Sequence, residues 1–115
     1  SQDSELNLDE KFYSWNQSPD EINFTLRLTS KGNNTHIKTN KNDLRINLKT
    51  DYIEISYQNR LILNGHLSSN IKADETVWTL NTNRYPNLVE IVLAKSRSGE
   101  MWTSFLKGWI SFFLE

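Results

Sequence analysis

The stretch Ile22-Asn-Phe-Thr-Leu-Arg-Leu28 decides the fold, because apolar and polar residues alternate along it without a break. Successive side chains of a β-strand point to opposite faces, so the four apolar residues share one buried face. The three polar residues between them then face solvent. This stretch therefore predicts a half-buried strand of an antiparallel sheet.

The same alternation recurs along the chain in the stretches 44–48, 53–57 and 89–93. Turn-forming residues separate these stretches, as at Ser18-Pro-Asp20 and Gln58-Asn59. Short alternating strands joined by turns are typical of two packed antiparallel sheets. The sequence therefore predicts an all-β protein, an antiparallel β-sandwich of seven or eight strands.

Two positions in the middle of the chain need separate interpretation. Asn64-Gly65 could form a tight hairpin turn, but the apolar phase continues from Leu61 to Leu67, which favours a β-bulge at Gly65. Ala73-Asp-Glu75 predicts a further turn before the strand that contains Trp78.

Length and composition limit the class of protein. The chain has 115 residues, which suits one domain, and it contains no cysteine for a disulfide or thiolate metal site. Its formal net charge of -1 gives no support for nucleic-acid binding by a basic face. No apolar run approaches the roughly 20 residues of a membrane span.

The residues of chemical interest do not form a catalytic pattern. The two histidines, His36 and His66, have no partners at the spacing of a metal site. Acidic pairs such as Asp20-Glu21 occur in turns, where they usually provide solubility and backbone hydrogen bonds. We therefore expect no enzyme activity, no metal and no cofactor.

The C-terminal residues 104–115 form an apolar tail that differs from the rest of the chain. From Trp102 onward, apolar residues occur at the spacing of one helix face. They are Trp102, Phe105, Leu106, Trp109, Ile110 and Phe113. Gly108 lies in the middle and weakens a helix by about 1 kcal/mol relative to Ala. The spacing still predicts a short amphipathic helix, which packs on the sandwich or on a partner.

Several short motifs occur along the chain in an order that is similar to that of one known family. They are Tyr13-Ser-Trp15-Asn-Gln17, Gly65-His-Leu67, Trp78, Lys95 and Trp102. In this order and spacing they resemble the CS domain of the NudC family, whose fold is similar to p23 and the small heat-shock proteins (HSP20-like). The chain looks most similar to the branch of NudC domain-containing protein 1.

The resemblance implies a protein-interaction role. It divides the chain into a polar leader at 1–11, a CS domain at 12–103 and the apolar tail at 104–115. Proteins of this family bind clients, work with Hsp90 and support dynein–LIS1 pathway proteins, in the cytoplasm and the nucleus. We therefore expect protein partners of these kinds, no nucleic-acid partner, and a co-chaperone function.

Six residues are the candidates for protein binding. They are Trp15, Gln17, Lys95, Trp102, Phe105 and Trp109. The first four of them would lie near one another if the first and last strands approach each other. The alternative is that Trp15 and Trp102 only close the core while Lys95 extends its aliphatic stem across them.

A second function hypothesis is a secreted or cell-surface adhesion or carbohydrate-binding domain. It depends on three N-glycosylation sequons, at Asn16, Asn23 and Asn33.

Overall fold

The computed structural model of the chain describes residues 13–28, 39–84 and 86–112, and for 108–112 it describes the backbone alone. The leader predicted at 1–11 lies outside the described residues. Within them the chain forms eight strands: β1 (Tyr13–Gln17), β2 (Glu21–Leu28), β3 (Leu44–Lys49), β4 (Tyr52–Tyr57), β5 (Arg60–Leu67), β6 (Ile71–Asn81), β7 (Asn87–Lys95) and β8 (Leu106–Phe112). A short 3-10 helix, Lys41–Asp43, precedes β3.

The strands form two four-stranded sheets in which all neighbouring strands are antiparallel. The first sheet has the order β1-β2-β7-β6, and the second has the order β3-β4-β5-β8. The predicted all-β antiparallel sandwich is therefore confirmed for the part of the chain that the structure describes.

The core lies between the two sheets and follows the predicted alternation. On β2, Phe24 is 1% exposed, whereas its neighbours Asn23 and Thr25 are only partly buried. Strands of both sheets contribute side chains with 0–1% exposure, among them Ile22, Leu26, Ile53, Ile55, Leu63, Leu67, Val89, Ile91 and Leu93. Burial of these side chains is the main source of stability in a domain of this size.

The predicted turn at Gln58-Asn59 is confirmed as the hairpin between β4 and β5. Gln58 has a φ of 51° and Asn59 a φ of 65°. Positive φ at both central residues defines a type I′ turn, whose twist matches that of the strands it connects.

Gly65 lies inside β5 and not in a hairpin turn, as predicted. The ladder between β5 and β8 is irregular here, because Asn64 pairs with Ser111 whereas His66 pairs with Lys107. A Cβ atom at Gly65 would lie 3.2 Å from Cδ1 of Leu106. A glycine at this position therefore allows β8 to pack closely against β5.

The turn predicted at 73–75 is wrong. β6 continues through these residues, and its pairing with β7 shifts between Lys72 opposite Ala94 and Val77 opposite Val92. The acidic, small residues at 73–75 therefore interrupt the ladder of an edge strand without reversing the chain, as β-bulges at sheet edges do.

The predicted C-terminal helix is also wrong, because residues 106–112 form β8 at the edge of the second sheet. Aromatic and β-branched residues favour strands, and Gly108 disfavours a helix. Pairing with β5 also satisfies backbone groups that would otherwise be exposed along a sheet edge. Apart from the 3-10 turn, no helix occurs among the described residues, and none there is long and apolar enough to cross a bilayer.

Candidate functional site

Gln17 and Trp102 are joined by a pair of hydrogen bonds at one end of the sandwich. The Nε2 group of Gln17 donates to the carbonyl oxygen of Trp102 at 2.8 Å, and the backbone N–H of Trp102 donates to Oε1 of Gln17 at 2.9 Å. Gln17 ends β1, and the period of two places it on the same face as Trp15. The amide of one side chain therefore satisfies both backbone groups of Trp102.

Lys95 completes this arrangement from the end of β7. Its side chain is only 3% exposed, and its Nζ donates to Oε1 of Gln17 at 2.8 Å and to the carbonyl oxygen of Glu100 at 2.6 Å. A buried ammonium is costly unless it is hydrogen-bonded. These acceptors therefore account for the burial of Lys95 and connect the strand to the segment that follows it.

We call residues 96–101 the corner loop, and several further bonds hold it in place. The N–H of Gly99 donates to the carbonyl of Pro19 at 2.8 Å, and Oγ of Ser98 donates to Oδ1 of Asp20 at 2.5 Å. Gly99 has a φ of 85°, a conformation that glycine adopts at little cost. The corner loop is therefore attached to the β1–β2 turn as well as to Gln17.

Aromatic side chains form the base of this site. Phe105 is 2% exposed and stacks on Phe24, with ring centroids 4.3 Å apart and planes 9° apart. Trp15 lies 6.3 Å from Phe105 and Tyr13 lies 6.4 Å from it, both in tilted geometry. Burial raises the pKa of the Tyr13 phenol above its ordinary value of 10.0.

The structure brings five of the six predicted binding residues into two connected groups. Gln17, Lys95 and Trp102 share hydrogen bonds, and Trp15 contacts Phe105. The backbone of Trp109 lies in β8, and its side chain is outside the described part of the structure. Direct binding by these residues stays a prediction, and Lys95, Trp102 and Phe105 are at most 5% exposed.

Two exposed apolar side chains were missed by the sequence reasoning. Met101, the last residue of the corner loop, is 62% exposed, and Val77 on β6 is also 62% exposed. Met101 is the one methionine of the chain and directly precedes Trp102. This position beside a candidate binding residue was the available signal for a role in binding. Nothing in the spacing around it indicates exposure, because exposure depends on the path of the loop.

The acidic and histidine side chains of the described residues do not gather into a metal-binding group. Among the described residues, no group of three or more His, Asp or Glu side chains could hold a metal ion. Nδ1 of His66 and Oδ2 of Asp51 lie 3.9 Å apart on the outside of the second sheet. The site therefore consists of a corner loop that hydrogen bonds hold in place and the surface around it.

Comparison with known proteins gives the family. The CS domain family model matches residues 11–95. NudC domain-containing protein 1 of Mus musculus is 31% identical over 116 residues, which cover 93% of this chain. The chain spans 18% of the length of that relative.

Solved structures agree on the fold. The nuclear movement protein of E. cuniculi GB-M1 has a TM-score of 0.62 at 21% identity, over 83% of this chain and 98% of that chain. The solution structure of the CS domain of the human KIAA1068 protein has a TM-score of 0.65 at 16% identity, over 90% of this chain and 79% of that chain.

These matches favour the protein-interaction hypothesis over the secreted adhesion alternative. Two of the sequon residues, Asn16 and Asn23, are hydrogen-bonded to each other at 3.0 Å, and Asn33 lies outside the described residues. The resemblance drawn from the tryptophan, glycine and lysine signals is confirmed, and the chain belongs to the CS domain family, with similarity to NudC domain-containing protein 1.

Proposed function

We propose that this chain is a NudC-type protein-interaction module that binds partly folded client proteins, as a co-chaperone does. The observation that carries the proposal is the exposure of Met101 at the end of a corner loop that is held on both sides. An exposed methionine is well suited to varied partners, because its side chain is flexible and polarisable.

The six candidate residues would act in this function at two levels. Gln17, Lys95 and Trp102 hold the corner loop, so that little conformational entropy is lost there when a partner binds. Trp15 is half-buried and offers part of its ring at the surface. We assign Phe105, which is 2% exposed, to the apolar support beneath this surface. Trp109 stays a candidate for direct contact with a client.

The finer assignment follows the family. We propose that clients reach this module in Hsp90-linked assemblies or as dynein–LIS1 pathway proteins, in the cytoplasm and the nucleus. The support is the family membership of the chain, together with the name of the E. cuniculi relative, a nuclear movement protein. Crosslinking in cells followed by mass spectrometry of the captured proteins tests this assignment.

A light-scattering assay tests the central proposal. The wild-type chain should suppress thermal aggregation of a model client such as citrate synthase, and Met101→Glu should lower that suppression. Thr82→Glu is the matched control, because Thr82 is also exposed and the charge change is the same. Unchanged scattering with the wild type at equimolar amounts would reject the chaperone function, and equal loss in both variants would reject the role of Met101.

A further inference from the structure

The outer face of the second sheet carries a row of residues that crosses all four strands. Lys49 pairs with Tyr52, Tyr52 pairs with His66, and His66 pairs with Lys107. Paired residues of antiparallel strands point to the same side. We call these four residues the basic row, and it faces away from the core because their neighbour Ile53 faces inward.

The cations of this face have no carboxylate partner among the described residues. Lys49 and Lys107 are exposed. Arg45 lies on the same face of β3 as Lys49 and is exposed as well. On this face Oδ2 of Asp51 lies 3.9 Å from Nδ1 of His66. Glu54 accepts a hydrogen bond from Asn47 at 3.2 Å. Three positive charges are therefore available to a partner.

The centre of the row is held by contacts within the sheet. The Tyr52 ring meets His66 edge-on with centroids 5.4 Å apart, and Nδ2 of Asn64 donates to the Tyr52 hydroxyl at 3.0 Å. These contacts order the aromatic group before a partner arrives, which reduces the entropy lost on binding.

The size of the row suits an extended peptide. Strands of a sheet are about 4.8 Å apart, so three spacings place Lys49 about 14 Å from Lys107 along the row. An extended chain advances about 3.3 Å per residue, so side chains about four residues apart span the same distance. Carboxylates at that interval would reach both lysines.

We propose that the basic row binds an acidic protein segment in extended form. The presence of Asp51 and Glu54 beside the cations favours a peptide over a nucleic acid. A continuous phosphate backbone would be repelled by both carboxylates, whereas a peptide can place its own carboxylates only opposite the two lysines. The net charge of -1 also gives no general attraction for polyanions. The inference goes beyond the proposed function, since it names a second surface on the other sheet from Gln17 and Lys95.

Fluorescence anisotropy tests the proposal. The probe is a fluorescein-labelled Gly-Ser peptide with glutamates four residues apart, and the same peptide with glutamines is its uncharged control. The variant Lys49→Glu/Lys107→Glu should weaken binding of the glutamate peptide by about tenfold or more. The matched variant Lys72→Glu/Arg84→Glu makes the same charge change at exposed residues outside the row, and it should stay within about twofold of wild type.

Three results would overturn the proposal. They are no binding of the glutamate peptide, an equal loss in the two charge-reversed variants, and tighter binding of a dT oligonucleotide that the row variant abolishes. Circular dichroism melting shows that each variant is folded. The row variant should still suppress client aggregation. If the wild-type chain suppresses aggregation but does not bind the glutamate peptide, the inference about the basic row is rejected and the proposed function is not.

Discussion

The ammonium group of Lys95 donates a hydrogen bond to Oε1 of Gln17 at 2.8 Å, although the two residues are 78 positions apart in the sequence. The same oxygen accepts the N–H of Trp102 at 2.9 Å. One amide oxygen therefore connects the end of β1, the end of β7 and the segment before β8. This connection attaches the exposed corner loop to the ends of two strands, and Met101 lies at the surface directly beside it.

Replacing Lys95 by methionine tests the strength of this connection. Lys95→Met keeps most of the stem but leaves the Glu100 carbonyl without its donor, so we expect the free energy of unfolding to fall by about 2 kcal/mol. Urea unfolding followed by tryptophan fluorescence measures it. Lys72→Met, at an exposed position of β6, should change stability by no more than about 0.5 kcal/mol. Equal effects of the two substitutions would show that the buried bonds contribute nothing.

Phe105 is the expected centre of the aromatic cluster. Phe105→Ala removes a buried ring stacked on Phe24, so we expect a loss of about 3–5 kcal/mol in unfolding free energy. The control is Met101→Ala, since Met101 is exposed and its truncation should cost less than about 0.5 kcal/mol. Thermal unfolding by circular dichroism measures both. A midpoint for Phe105→Ala that matches the wild type would contradict the stacked packing.

Gly65 should be sensitive to any added side chain because of Leu106. Gly65→Ala places a Cβ close to the Leu106 methyl groups, so we expect a destabilisation of about 1–3 kcal/mol. Leu106→Val makes room, so the double variant should lose less stability than the sum of the two single variants. Gly99→Ala is the control, because its cost arises from positive φ and Leu106→Val should not relieve it. Additive losses at Gly65 and Leu106 would rule out the close contact.

The raised pKa of the Tyr13 phenol should make the folded chain less stable at alkaline pH. Burial raises the pKa of its phenol in the folded chain, so the unfolded chain loses this proton first as the pH rises. The contribution of Tyr13 is therefore fully present below its ordinary pKa of 10.0 and is lost as the pH rises through the folded pKa. Urea unfolding from about pH 8 to about pH 11 should show a smaller fall for Tyr13→Phe than for the wild type. Parallel curves would mean that Tyr13 is not the group responsible.

Local alternation was enough to predict most of the strands. The residues from Ile22 to Leu28 can bury one face and hydrate the other only in an extended conformation, and this requirement does not depend on which strand becomes the neighbour. The turn at Gln58-Asn59 was predictable because asparagine tolerates positive φ. Gly65 was predictable as a bulge because the apolar phase continues on both sides of it.

The apolar C-terminal residues show where local reasoning fails. The spacing from Trp102 to Phe113 fits a helix face, but residues 106–112 form a strand because β5 offers them backbone partners. The bulge at 73–76 likewise depends on the register of β6 against β7. In both cases the outcome depends on pairing with another strand, and the pattern within the segment itself does not report that pairing.

The sequence by itself therefore determined that this chain is an antiparallel sandwich and which residues line its core, because side-chain periodicity is a local property. Only the tertiary structure decided that Lys95 is buried, that Met101 is exposed, and that Lys49 and Lys107 lie in one row. Each of these depends on acceptors, loops or strands brought together from distant positions, and their free energies arise only after the two sheets have packed.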